Sequence, residues 1–350
     1  MKISLTKALY VAIAATCAMN LSSCDDDDEK AADNGAVVAD AVLKAANVQF
    51  VNSTVIPTYK GLADHALSLK DAIKAMKDDA GLGKACNEWK QARQYWEWTE
   101  AFLFGAASNY GIDPHIDTWP FNAEAYSSMT SFEATNPEFL GFHGIEYILF
   151  REGKARPFDD LSEKDLAFVE SIAEDLVISA IRLEGAWAGV ENITSEKQEL
   201  LEEAEIDIPD NFGEDMITAG ANNRWKTVLA GSIQILEGAR TIVDEVAHGK
   251  IGTPHNGEDV EYIESPHAYN SIQDFEDNIV SVRNVYYGGL NATSPRGGSL
   301  SDAIAKAKGG EAINENVVSD MPQMFATYFC FNPHLFRNSL TVLARLVCSI

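Results

Sequence analysis

Basic residues and cysteine are both scarce in this chain of 350 residues. Lysine and arginine number 27 against 53 aspartates and glutamates, so the formal net charge is −26. A surface this acidic repels phosphate backbones, which excludes nucleic acid as a partner. Of the five cysteines, two lie within the first 24 residues. The other three are an odd number, which excludes a complete disulfide framework.

Long apolar runs are also missing. The apolar stretch of residues 8–19 follows two lysines and is too short to span a bilayer as a helix. With the Leu-Ser-Ser sequence before Cys24, it predicts a secretory signal over residues 1–23. This ending resembles a bacterial lipobox, which implies that Cys24 carries lipid and anchors the chain to the outer membrane. The alternative is an ordinary signal peptide followed by a chance cysteine.

An acidic run begins immediately after the predicted lipidation site. Residues 25–29 are Asp-Asp-Asp-Asp-Glu, and their charge density predicts a solvated tether over residues 24–34. The run also resembles the surface-export signal of Bacteroidetes lipoproteins. That resemblance implies an outer membrane lipoprotein exposed at the cell surface, and without it the chain would face the periplasm.

Alternation of apolar and polar residues, the mark of strands, is almost absent, whereas helical periodicity is frequent. From Val48 to Met76 apolar residues recur every three or four positions, which predicts a long helix that Pro57 kinks or splits. Ser162 with Asp165 resembles a capping box at the start of another helix. The patterns predict an all-α protein of two up-and-down helical bundles. We expect these bundles at residues 35–190 and 214–350, joined by a linker at 191–213.

One short motif points to metal chemistry. In Gly-Phe-His-Gly-Ile-Glu, residues 141–146, His143 and Glu146 are three positions apart on a predicted helix and share one face. An imidazole and a carboxylate so placed form a half-site for a divalent or ferric cation. The alternative is a hydrogen-bonded interior pair without metal.

This motif resembles the GxHxxE signature of the imelysin family of bacterial envelope proteins. Similarity continues along about residues 40–290 and implies two helical bundles with the functional site in the cleft between them. The other matching positions are Trp89, Arg93, Glu100, Phe104-Gly105, Ile116-Asp117-Thr118-Trp119-Pro120, Ser265-Pro266, Asn270, Asp274, Asn278 and Tyr286 to Gly288.

The candidate site combines the motif with these positions. We predict His143 and Glu146 as metal ligands, Glu100 as a third oxygen donor, and Arg93 as an orienting residue or an anchor for an anion. Asp117 is expected to hold its loop, or to be a turn residue with no ligand. Further ligand-binding or orienting residues are Trp119, Ser265, Asn270 and Asp274.

The predicted ligands favour a non-enzymatic protein that binds iron, another metal or a metal-bearing ligand, and the family resemblance implies a role in iron uptake with iron-transport components as partners. A metallopeptidase is the first alternative, although no histidine is followed by glutamate and Tyr147 stands where an inverted zincin motif needs histidine. A metal-free receptor for a small organic or peptide ligand is the second. The last thirty residues contain no acidic residue, so their native role in such a family is open.

Overall fold

The computed structural model describes residues 38–129, 139–257, 259 and 262–327, with backbone alone at 323 and 325–327. The predicted signal, Cys24 and the acidic tether lie outside these residues, as does most of the acid-free C-terminal stretch. The described chain is all-α apart from one hairpin of strands β1 (Phe150–Arg151) and β2 (Lys154–Ala155). Its helices are α1 Asp40–Phe50, α2 Ile56–Ala75, α3 Asp79–Glu97, α4 Ala106–Asn109, α5 Asp113–Ile116, α6 Ala123–Ser128, α7 Gly141–Leu149, α8 Glu163–Ala188, α9 Ser195–Glu203, α10 Phe212–Ile217, α11 Val228–Asp244, α12 Gly252–His255, α13 Ser271–Tyr287, α14 Leu300–Ala305 and α15 Gly310–Thr327.

Three long helices form the framework of the first half. Helix α2 packs along both α3 and α8, and α7 packs against α3 and α8. Apolar residues at helical spacing supply the buried core, in which Trp89, Trp96 and Trp187 are among the largest side chains. The tryptophans of α3 are therefore core residues whose ring N–H groups also find polar partners.

Pro57 affects the predicted first helix as expected. A π-helical turn at Val51–Val55 separates α1 from α2, and the proline lies in the first turn of α2. Proline has no N–H, so the carbonyl of Ser53 lacks its usual helical partner. Leu290 N donates to that carbonyl at 2.7 Å, and Thr54 Oγ1 donates to the Asn284 carbonyl at 3.3 Å. The break in the helix thus becomes a contact with the second half of the chain.

The second half packs directly on the first. Helix α11 contacts α1, α13 and a 3-10 turn at Glu100–Phe102, and α13 also packs against α3. The interface of α13 with α3 brings residues that are far apart in sequence to one buried region.

The segment expected to be a linker contains helix α9. Thr194 caps its start, and Lys197 is buried with its ammonium 2.5 Å from Glu184 and 2.6 Å from Asp64. The apolar pattern missed this helix because it is held by buried ion pairs as well as by apolar contacts. The division into two bundles stays a prediction.

No helix in the described ranges has both the length and the apolar character that crossing a bilayer requires. Lipid anchoring at Cys24, a residue outside the described ranges, remains a prediction.

The capping box at the start of α8 is confirmed. Ser162 Oγ accepts from Asp165 N at 3.1 Å, and Asp165 Oδ2 accepts from Ser162 N at 3.0 Å. We expect Ser162→Ala to lower the free energy of unfolding by about 1 kcal/mol, because it leaves helix N–H groups unpaired. Urea denaturation measures this, with Ser128→Ala as the control, because the exposed Ser128 hydroxyl bonds only within its own helix. Equal loss in both variants would contradict the capping role.

Candidate metal site

Arg93, on α3, lies at the centre of a buried polar cluster. Its guanidinium contacts Asp117, lies 3.0 Å from Glu264 Oε1 and 2.6 Å from Glu97 Oε1, and its Nε is 3.6 Å from Asp274 Oδ1. Burial opposes its charge, but these carboxylates hold the pKa of Arg93 above its ordinary value. The predicted orienting residue therefore joins carboxylates from four places in the chain.

Asp117 follows helix α5 and links Arg93 to the motif. Its Oδ2 accepts from Trp96 Nε1 at 2.9 Å, and its Oδ1 lies 3.0 Å from His143 Nε2. Burial acts to raise the pKa of Asp117, but Arg93 and His143 hold it well below the ordinary value. Asp117 is therefore an ionised residue of the cluster rather than a simple turn residue.

His143 and Glu146 share one face of α7, and both side chains are buried. His143 Nδ1 is 3.4 Å from Glu146 Oε2, so the ring lies between two carboxylates. Burial alone would lower the pKa of His143, but Asp117 and Glu146 raise it to about 9. At neutral pH the ring is therefore protonated and must lose a proton before it can ligate a metal.

Glu146 joins the motif to the second half of the chain. Its Oε1 accepts from the backbone N–H groups of His267 and Ala268, both at 2.8 Å. The motif glycines permit close backbone approach in the first half. A Cβ at Gly141, where φ is +75°, would lie 1.8 Å from the Ile116 carbonyl oxygen, immediately before Asp117. The motif thus fixes the positions of two separate loops.

The predicted residues of the second half form one local network. Ser265 Oγ donates to Asp274 Oδ2 at 2.5 Å, and Asn270 Nδ2 donates to Asp274 Oδ1 at 2.8 Å. Burial raises the pKa of Asp274 to about 6. Trp119 lies at the edge, where its Nε1 donates to the Ile263 carbonyl at 3.0 Å.

The structure adds residues that the sequence did not single out. Glu97 Oε2 accepts a hydrogen bond from Asn278 Nδ2, and Glu264 Oε1 lies 2.9 Å from the Nζ of buried Lys250. The spacing of Arg93 and Glu97, one helical turn apart, was a signal that could have identified Glu97. Lys250 and Glu264 lie among glycines and prolines in the sequence, where helical periodicity gives no information.

An acidic group suitable for a cation lies on one side of the cluster. Oxygen atoms of Glu97, Glu100 and Asp117 all lie within 4.8 Å of one another. Burial raises the pKa of both Glu97 and Glu100 well above the ordinary value. The predicted oxygen donor Glu100 thus lies close to Glu97 and Asp117. His143 is linked to this acidic group by its contact with Asp117.

The ion pairs of His143 make folding stability dependent on pH. The pKa of about 9 exceeds the unfolded value of about 6.5, so the charged ring stabilises the fold fully below pH 6.5. This stabilisation is lost as the pH rises through 9. In EDTA, we expect the difference in unfolding free energy between wild type and His143→Gln to shrink by up to about 3 kcal/mol from pH 6 to pH 10.

Urea denaturation at the two pH values measures this difference. His115→Gln serves as the control, because its ion pair with Asp175 is partly exposed and screened by solvent. A His143→Gln effect of equal size at pH 6 and pH 10 would show that the folded ring carries no extra proton.

Comparison with known proteins agrees with the fold and with the resemblance to the imelysin family. A sequence model of the imelysin family matches residues 55–324. Iron-regulated protein A of Synechococcus elongatus is 27% identical over 286 residues, which are 79% of this chain and 72% of that protein.

Two solved structures have the same fold. One, described as an iron-regulated protein A precursor from Parabacteroides distasonis, has a TM-score of 0.73 at 23% identity, covering 91% of this chain and 95% of that chain. An imelysin-like protein from Psychrobacter arcticum has a TM-score of 0.61 at 14% identity, covering 89% and 94%. Because the family match extends over most of the sequence, this chain belongs to the imelysin family.

Proposed function

We propose that this protein binds a multivalent metal cation, iron foremost, at the buried group of Glu97, Glu100 and Asp117. The ion is its cargo, and the protein is a non-enzymatic component of iron acquisition at the bacterial cell envelope. The single observation that carries this proposal is the clustering of three carboxylates within 4.8 Å of one another, with Glu97 and Glu100 buried and Asp117 mostly buried.

The balance of charge around the cluster supports this proposal. Within the described residues, Arg93, His143 and Lys250 are the cations in contact with the cluster. The carboxyl groups that interact with them are more numerous, namely Asp117, Glu146, Glu264, Asp274, Glu97, Glu100, Glu245 and Asp113. Excess buried carboxylate is unfavourable unless it is protonated or paired with a cation. A bound metal ion would supply the missing positive charge.

The chemistry of the donors favours a hard cation. Carboxylate oxygens suit iron, manganese, calcium and magnesium better than soft ions. Two buried oxygens of the described cluster, Glu264 Oε2 and Asn278 Oδ1, also have no hydrogen-bond partner. Native proteins rarely leave such atoms unpaired, so their presence supports a ligand here. Iron is our choice because relatives carry the name iron-regulated protein A.

We place the protein at the outer membrane, held by lipid on Cys24 and exposed at the cell surface or facing the periplasm. The lipobox-like sequence and the acidic run support this placement. Its partners would then be the metal ion or a metal-bearing ligand and the components that carry iron inward.

Binding is better supported than peptidase activity. A catalytic zinc site uses three protein ligands, with any histidine deprotonated, and keeps one position open for water. Here the clustered donors are carboxylates, and the ring of His143 is flanked by two acids. Chelator-sensitive cleavage of an unstructured peptide, lost in Glu100→Gln, would instead support the peptidase. A metal-free receptor would bind no ion at all.

Metal titration tests the proposal directly. We expect wild type to bind about one Mn²⁺, or one Fe²⁺ under anaerobic conditions, by isothermal titration calorimetry. Glu100→Gln should weaken binding at least about tenfold, because it removes an oxygen donor and a negative charge. Glu184→Gln is the matched control, a buried glutamate bonded to Lys197 elsewhere in the fold. Failure of wild type to bind either ion, or equal weakening in both variants, would contradict the proposal.

A further inference from the structure

Lys250 reaches the acidic cluster from the second half of the chain. Its side chain is almost completely buried, and its Nζ lies 2.9 Å from Glu264 Oε1 and 3.9 Å from Glu97 Oε2. Glu100 and Glu245 also interact electrostatically with this ammonium. The lysine therefore lies beside Glu97, one of the three acids that we assign to metal binding, although it belongs to a different segment.

A π-helical turn places Lys250 there. The turn spans Glu245–Lys250, and Ile251 N donates to the Val246 carbonyl, five residues earlier, at 3.0 Å. In an α-helix, residues five positions apart point in widely different directions. In a π-helix each turn contains more residues, so side chains five positions apart lie on nearly the same face. Glu245 and Lys250 therefore both interact with the cluster. Such turns are rare and frequently occur at functional sites.

We propose that Lys250 is the specificity-determining residue of the metal site, an internal competitor that admits multivalent cations and rejects monovalent ones. This inference rests on the proposed function, because it assigns a regulating role at the same site. It adds that the affinity of the site is set below the maximum its carboxylates could reach.

The argument for selectivity is electrostatic. Without metal, the ammonium already supplies one positive charge to Glu97 and Glu264. A monovalent ion that takes its place gains no charge and leaves a buried ammonium without partners, which is costly. A divalent or trivalent ion brings more charge to the same carboxylates and can offset that cost. The presence of the lysine thus means that only an ion with a charge of more than one binds favourably.

The backbone next to the lysine is open on one side only. A Cβ at Gly249 would meet only Glu245 Cγ, at 3.8 Å, whereas a Cβ at Gly252 would lie 2.8 Å from the Ala247 carbonyl oxygen. The lysine side chain is a flexible chain of four carbons that ends in a compact ammonium group. Arg93, by contrast, is fixed by contacts with several carboxylates and a ring contact with Phe142.

Mn²⁺ titration of charge-removing variants tests the inference. We expect Lys250→Met to bind Mn²⁺ at least tenfold more tightly than wild type. Its binding should also weaken more steeply when NaCl is raised from 50 to 500 mM, because monovalent ions can now compete. Lys197→Met is the matched control, because Lys197 is also a buried lysine between two acids but lies away from the cluster. Its Mn²⁺ affinity should equal that of wild type.

The outcomes separate this inference from the proposed function. If wild type binds Mn²⁺ and Lys250→Met binds it no more tightly, the lysine is only structural and the inference is overturned. If neither binds, the proposed function fails, and the inference fails with it. Should Lys250→Met not fold, the charge-balanced pair Lys250→Met/Glu264→Gln is compared with Glu264→Gln alone, and tighter binding by the double variant is again required.

Discussion

The site depends on one guanidinium held away from water. Arg93 is fully buried, and desolvating its charge is tolerable only because carboxylates from α3, the loop at Asp117 and the segment at Glu264 meet it. Each of those segments is therefore tied to the same point. Helix α7 joins through His143 and Asp117, and Glu146 joins α7 to the loop at residues 267–268. Packing of the long helices brings these segments together, but the ion pairs set their positions.

This arrangement costs stability. More acids than cations are buried together, and burial raises the pKa of Glu97, Glu100 and Asp274. A chain selected for stability alone would place apolar residues at such positions. Local conflict of this kind is typical of functional sites, where groups are held ready for a ligand.

Much of the fold could be predicted from the sequence, because the helical periodicity of apolar residues identifies helices. The break at Pro57, the capping box at Ser162 and the absence of extended sheet all follow from local rules. Helix α9 was missed because its burial uses Lys197, a residue that the apolar pattern counts as exposed.

The site was only half readable. His143, Glu146, Asp117 and Arg93 were identified through a motif and a resemblance, and the structure brings them together. The protonation state of each titratable group could not be predicted from the sequence, because it depends on neighbours that are distant in sequence. His143 looked like a neutral ligand, and only its position between two acids reveals a protonated ring. Lys250 and Glu264 lack periodic or motif signals, so three-dimensional proximity alone identifies them.

The separation of the cluster along the chain has a consequence for when it can exist. Its acids begin at Glu97 and extend to Glu264 and Asp274, so a polypeptide that is still emerging or unfolded has no such arrangement. A chain threaded through a membrane in extended form would therefore travel empty. If the protein functions as proposed, it would bind metal only after folding, in the compartment in which it folds.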